Sequence, residues 1–324
     1  MIFRSVIFGS MPRSRRLARA ISRYQSNKID VNALEEVYRK DLRKFLEYVY
    51  TNNIYRSSDG MYRWDDLFNP LANYMSLDVN GLKRFYDNNF FFRQPIFNKS
   101  ISYEEPKISK TMINDIKIIG FSNRVERISL TLPGPLTLVM NSLIDEGLYT
   151  SKIKVAEEYV EKVVIKEITY AYREGVRHID LHEPELAFSK ISPEILDLYK
   201  RIAENFGGNI WIIIYFGYDS DNIQLLRKLS EEKKIIPVVD LVSTKPSIDK
   251  VAEDLRGLRE YGLGILDSRN TKIEVLKELR SVLEKVEKES RDTEYIYITH
   301  NSNLEFLPEK IAFRKIKLLS RLVS

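Results

Sequence analysis

Five arginines, Arg13, Arg15, Arg16, Arg19 and Arg23, crowd the stretch that follows Pro12. Residues 15, 19 and 23 recur at four-residue steps, which puts them on one face of a helix. Arg13 to Arg16 fall near that helix's N-terminus, where unpaired backbone N–H groups already favour anions. Such a set can cradle carboxylates. It can also be a solvated face or a docking surface for a partner. A second group is "SDGMYRWDD", residues 58–66. Trp64 could stack on a flat ring there, with Asp59 or Asp65 accepting from paired N–H donors on the ring's edge. The plainer reading has Asp59 or Asp65 capping the next helix and Trp64 packing beneath it.

The chain has three histidines, His178, His182 and His300, and no cysteine. His182-Glu183-Pro184 sets a base beside an acid. Neighbours on a strand point to opposite faces, however, so a structural role competes with an acid–base pair. His182, His300 and Asp240 could together hold a metal weakly. Without cysteine there are no disulfides, thiolate zinc sites or thiol nucleophiles, which fits a reduced cytoplasm. The aromatic run "NNFFFRQPIF" can be core, the lining of an insertion, or an apolar face for a second domain.

These residues need a scaffold, and the pattern supplies one. Short Ile- and Val-rich runs recur at 3–8, 53–58, 127–132, 177–182, 209–216, 235–242, 262–267 and 294–299. Continuous apolar runs suit parallel strands buried on both faces. Amphipathic helical patterns separate them at 32–50, 152–174, 192–206, 247–260 and 273–289. Eight strand–helix units in 324 residues predict a single α/β domain, a (β/α)8 TIM barrel over 1–324. An insertion of roughly 75–126 follows the second strand, read as a helix, then "DNNFFFRQPIF", then a hairpin-like piece at 107–125. No G-x-G-x-x-G follows the first strand, which disfavours a dinucleotide fold. In a barrel the βα loops carry the site, so Gly9 and Ser10, Ser58 to Gly60, Pro133 to Pro135, His182 to Pro184, Phe216 to Tyr218, Asp240, Asp267 to Asn270 and Thr299 to Asn303 share one rim, and the stretch after the second strand, from Tyr62, sits on it too.

Net charge is +5, spread over 97 charged residues (51 basic, 46 acidic). That is too diffuse to indicate nucleic acid. No apolar run approaches membrane-spanning length. The N-terminal apolar run precedes its basic residues, the reverse of a secretory signal. A cytoplasmic protein is expected.

The strand-end motifs "FGSMPRSRRLARA", "SSDGMYRWDDLF", "FYDNNFFFRQPIF", "LPGPLTL", "IDLHEPEL", "VVDLV", "GILDSRN" and "THNSNLEFLPEK" stand in the order found in cobalamin-independent methionine synthase, which the chain resembles along nearly its whole length. That family joins two related barrels. "GMYRWDDLF", "DNNFFFRQPIF" and "VVDLV" resemble its N-terminal barrel, which helps hold the folate donor. The resemblance implies a zinc set on the other barrel: His-x-Cys after strand five, Glu after strand six and Cys after strand eight. Here those places read Tyr215-Phe216-Gly217, Asp240 and Asn301. The amine-binding acid of an Asp-Glu-Pro motif is His182, and an acid expected after strand two is Met61. The resemblance therefore implies no zinc and no cofactor bound in this chain. It implies a methylated tetrahydropterin as possible donor ligand and a separate zinc-bearing methionine synthase barrel as partner for methyl transfer to homocysteine. Arg13, Arg15, Arg16 and Arg19 would face the donor's glutamyl tail; Asp59, Trp64, Asp65, His182, Glu183, Tyr215, Asp240 and Asn301 would line the site. The competing reading is a non-catalytic barrel that binds a small molecule or protein and regulates methionine biosynthesis. Methyl transfer by this chain alone would need another way to activate the thiol, and the sequence offers no residue set for it.

Overall fold

Eight parallel strands close into a barrel in the computed structural model, which describes every residue except 233, 291 and 324, and the side chain of 232. The chain's strands are β1 (Ile2–Ile7), β2 (Arg56–Ser58), β3 (Asp78–Arg84), β4 (Phe91–Phe97), β5 (Ile128–Pro133), β6 (Leu143–Ile144), β7 (His178–His182), β8 (Asn209–Ile213), β9 (Ile235–Asp240), β10 (Glu260–Leu266) and β11 (Tyr295–His300). The barrel runs β1-β11-β10-β9-β8-β7-β5-β2 and closes on itself. All eight predicted strands are present. The second is shorter than expected because only residues 56–58 pair, with Val6 opposite Arg56 on one side and Ser58 opposite Ser129 on the other.

The helices form where apolar residues recur on one stripe. α1 (Arg15–Gln25) is capped by the Ser14 hydroxyl, which accepts from Leu17 N–H, and it buries Leu17 and Ala20. α2 (Val31–Thr51) buries Leu34, Leu42, Phe45, Leu46 and Val49 against the barrel. Each such side chain removed from water contributes about 1.5–3 kcal/mol. The pattern at 247–260 is shorter than predicted, ending at Asp254, because Glu260 already opens β10.

The stretch after β2 differs from expectation. It runs α3 (Asn69–Tyr74), the antiparallel hairpin β3–β4, then α4 (Lys107–Ile118). The hairpin thus precedes 107–125 rather than occupying it. The physical reason is spacing: Ile108, Met112, Ile113 and Ile116 fall on one buried helical stripe, and Gly120 closes the helix at φ +79°. The aromatic run meanwhile begins with strand alternation, Phe91 and Arg93 exposed and Phe92 and Gln94 buried.

Inside the barrel the wall is unusually polar. Arg56 and Asp180 are both fully buried and pair at 2.8 Å. The guanidinium lies 3.7 Å from the Trp211 ring centroid and also donates to Ser129 Oγ at 3.0 Å. Among the described residues no helix is long and apolar enough to cross a membrane.

Candidate functional site

The C-terminal mouth gathers most of the predicted residues. Asp240 ends β9, and its carboxylate accepts from the backbone N–H of Phe216 (2.9 Å), Val242 (2.7 Å) and Ser243 (2.9 Å), from Ser243 Oγ (2.5 Å) and from Asn301 Nδ2 (3.2 Å). Asn301 Oδ1 in turn accepts from Ser268 N–H and Oγ, both at 2.9 Å. This is a closed net. A carboxylate has about four lone-pair sites, and donors already occupy them.

His300 is also fully spent. One ring nitrogen, Nδ1, donates to Ser302 O at 2.7 Å and the other, Nε2, accepts from Phe8 N–H at 3.3 Å. Burial holds both His182 and His300 down to about 3, so both are neutral. His182 Nδ1 lies 3.3 Å from Tyr215 OH, and its Nε2 has no partner. The trio of His182, His300 and Asp240 therefore does not form a ligand set, and among the described residues no group of three or more His, Asp or Glu is arranged to hold a metal. Tyr215 and Gly217 stand at the His and Cys places after the fifth barrel strand, with Phe216 between them at φ +73°. A zinc ion does not fit these residues: one Cys place has no side chain, the other is an amide, and the remaining carboxylate is saturated.

Glu183 points away from His182. It accepts from Leu136 N–H (3.0 Å), Thr137 N–H (2.7 Å) and Tyr199 OH (2.6 Å). It thereby caps α5 (Pro135–Met140). "PGP" explains the approach: a Cβ on Gly134 would lie 2.0 Å from the Glu183 carboxyl carbon. The adjacent acid and base are thus not an acid–base pair.

The rim after β2 corrects three expectations. Asp66, not Asp59 or Asp65, caps the following helix, its Oδ1 accepting from Phe68 and Asn69 N–H at 2.8 Å each. Asp59 closes its own turn onto Met61 N–H at 3.0 Å, and burial pushes its carboxyl up to about 6. Trp64 stands edge-on to Tyr74 with centroids 5.4 Å apart. The space it shares with Asp59 is about 10 Å³, too little for a flat ring beside it. Arg13 is consumed locally: it donates to Tyr62 O, Trp64 O and the exposed Asp65. Arg16 pairs with Asp41 at 3.1 Å. Arg15 and Arg19 stay exposed. Arg15 and Arg16 line a groove of about 770 Å³ with Lys44, Pro308 and Lys310.

The hairpin folds over the mouth. Phe85 and Tyr86 pack against Phe216 (5.9 and 5.6 Å between centroids), and Phe90 meets Phe306 edge-on at 5.4 Å. Tyr86 OH donates to Glu185 at 2.9 Å. Between the hairpin tip and the loops after β10 and β11 lies a second cleft of about 770 Å³, walled by Arg84, Phe90, Asp267, Arg269, Glu305 and Phe306. Sequence reasoning put Arg269 on the rim without giving it a role, and missed Ser243 and Glu305. "GILDSRN" and "NLEF" sat at the right strand ends, but only folding shows which of their side chains turn inward.

A pH dependence follows. Burial pushes Glu305 up to about 8 and Glu183 up to about 7 from 4.5, so each holds its proton more tightly when folded. The contribution is complete below the unfolded value and is lost as pH rises through the folded one. Burial holds His178, His182 and His300 down to about 3, so their opposite slope ends near 6.5. Stability is therefore expected to fall as pH rises from about 7 to 8, and Glu305→Gln should flatten the upper part of that fall. Urea titrations across this window test it; an unchanged slope in Glu305→Gln would exclude Glu305 as its source.

Fold and mouth together define a (β/α)8 barrel whose strand-end site is built from self-bonded polar residues and aromatic rings under a hairpin. Residues 53–291 match the family described as "Cobalamin-independent synthase, N-terminal domain", and the chain belongs to that family. It is 24% identical over 320 residues to the methionine synthase of Sulfolobus acidocaldarius, covering 97% of this chain and 89% of that one. It is 22% identical over 252 residues to the methionine synthase of Pyrococcus furiosus, covering 76% and 71%. The B12-independent methionine synthase from Shewanella sp. W3-18-1, solved with selenomethionine, superposes with a TM-score of 0.80 at 16% identity, over 100% of this chain and 97% of that one. That likeness supports the fold.

Proposed function

We propose that this barrel works in a cobalamin-independent methionine synthase system as the part that presents the methyl donor. A methylated tetrahydropterin is the donor, homocysteine the acceptor, and a separate zinc-bearing barrel the place of transfer. The carbon–nitrogen bond of the methylated pterin breaks there as the carbon–sulfur bond of methionine forms; the homocysteine thiol gives up its proton and the demethylated pterin nitrogen takes one up. The observation that carries this reading is the saturated Asp240–Ser243–Asn301 net beside Phe216, in a chain of this family. A barrel so built has no means of its own to hold a thiolate on a metal. The groove beside the N-terminus of α1 supports donor binding, since Arg15 and Lys310 face it without carboxylate partners among the described residues.

The test is reconstitution. Homocysteine, a polyglutamylated methyl-tetrahydropterin and the zinc-bearing barrel of the same organism are assayed with and without this chain. Turnover is expected only with both barrels. Replacing Arg15 and Lys310 by Gln should raise KM for the polyglutamylated donor roughly tenfold, since two surface charge contacts are worth about 1–2 kcal/mol together, and should leave kcat nearly unchanged. Turnover that ignores the added chain would end the proposal.

A further inference from the structure

The positive charge that is diffuse along the chain is gathered by the fold onto one flank. α1, α2 and the C-terminal helix (Glu309–Leu322) hold 13 basic and 5 acidic residues, which leaves 38 basic and 41 acidic residues for the rest of the chain. The three helices are neighbours. Ser14, the cap of α1, donates its backbone N–H to Asp41 of α2 at 3.2 Å. Tyr48 of α2 donates its hydroxyl to Phe313 O at 3.1 Å, and Lys44 pairs with Glu309 at 2.6 Å. On the C-terminal helix Lys310, Arg314, Lys317 and Arg321 are all exposed, and their steps of four, three and four residues set them in one stripe. At 1.5 Å of rise per residue the stripe is about 16 Å long. Arg15, Arg19 and Arg23 form a second exposed row on α1, and Arg43 is exposed on α2. The acids of the flank are taken by other residues: Asp41 by Arg16, Glu35 by Arg39 and Arg63, Glu36 by Lys40, and Glu309 by Lys44. Among the described residues, eight cations without ion pairs thus face one free carboxylate, that of Glu47.

What such a flank binds follows from its composition. Among the described residues the C-terminal helix exposes no large apolar side chain, and α1 and α2 expose only Tyr24 and Val31, at helix ends. A protein partner needs an apolar interface core, and a helix lying in a membrane surface needs an apolar face to sink into it. A surface that is polar and positive throughout suits the phosphates of a nucleic acid. Six of the eight free cations are arginines, whose planar fork matches a phosphate. Cations at regular spacing on a rigid helix suit the regular anions of a duplex, and the stripe has no exposed ring on which unpaired bases could stack. We propose that this flank binds the phosphodiester backbone of a duplex nucleic acid, without sequence preference, along Lys310, Arg314, Lys317 and Arg321. The role goes beyond donor presentation and does not depend on it, since Arg314, Lys317 and Arg321 lie outside the groove beside α1.

Fluorescence anisotropy of the whole chain with short labelled duplexes, DNA and RNA, each in two unrelated sequences, tests the flank. Neither pterin nor zinc-bearing barrel is present, so the outcome is separate from that of the reconstitution. Saturable binding is expected to at least one kind of duplex, alike for its two sequences. Each phosphate contact adds about 0.9 to the slope of log affinity against log salt, so four contacts lose roughly a hundredfold between about 50 and 200 mM. Replacing Arg314, Lys317 and Arg321 by Gln, with Arg15 and Lys310 kept, should lower that slope by about 2.7. It should weaken binding about tenfold at low salt and leave the melting temperature unchanged. No saturable binding at low salt, or a triple variant with the parent's affinity and slope, would overturn the proposal. So would tighter binding of the parent chain to phosphatidylserine vesicles or to a polyaspartate peptide than to either duplex.

Discussion

Arg56→Met is expected to lower the unfolding free energy by about 3–5 kcal/mol, because it strands the Asp180 carboxylate in the barrel interior. Both side chains are fully buried, and they are joined at 2.8 Å with Ser129 as a shared partner. Burial alone pushes Asp180 up, and Arg56 is the main opposing influence. With the guanidinium gone, Asp180 must stay charged without a counter-ion or take up a proton. The loss should therefore shrink as pH falls and Asp180 is neutralised. Replacing both residues, Arg56→Met with Asp180→Leu, removes the desolvation cost together with the attraction, and should be neutral or stabilising by about 1–4 kcal/mol. Urea unfolding of the two variants decides the matter. A single variant that loses under about 1 kcal/mol would show that the pair is not ionised in the folded barrel.

Gly9→Ala should cost about 2–5 kcal/mol, the sum of a left-handed alanine and an overpacked core. Gly9 sits at φ +62°, where a Cβ would lie 1.9 Å from Asn303 Oδ1 and 2.7 Å from His182 Cε1. Asn303 Oδ1 also accepts from Ser10 N–H at 3.3 Å, and Gly9 O accepts from Ser58 Oγ at 2.6 Å. The added methyl would thus push apart the loops that follow three barrel strands. Gly81→Ala is the control: nothing stands within 4 Å of its Cβ position, so its effect should stay within about 0.5 kcal/mol. Equal melting temperatures for the two variants would show that the Gly9 turn yields without cost.

How far the site could be read from sequence depends on the interaction. Asp65 and Asp66 are adjacent acids, and nothing local says which one caps the helix. The backbone turn turns Asp66 inward and leaves Asp65 to Arg13. Arg13 looked like part of an anion cradle because of its neighbours at 15 and 16. It precedes the helix, however, and its donors go to carbonyls of residues 62 and 64. His182 and Glu183 were correctly separated, since alternation along a strand is local geometry. The segment 107–125 was misread because the helical spacing of Ile108, Met112, Ile113 and Ile116 was passed over, and the aromatic run before it was not paired as a hairpin strand.

The sequence by itself determined the barrel, since eight apolar runs with amphipathic helices between them can bury their faces in few other ways. It also determined the family, through strand-end motifs in fixed order, and the loss of thiolate ligands, through the absence of cysteine. Only the tertiary structure decided which polar atoms at the mouth are already bonded and which are free. Asp240, Asn301 and Ser243 lie up to 61 residues apart, and Arg56 and Asp180 lie 124 apart. Hydrogen bonds and desolvation act over a few ångströms of space. Such distances exist between these residues only once the barrel has closed.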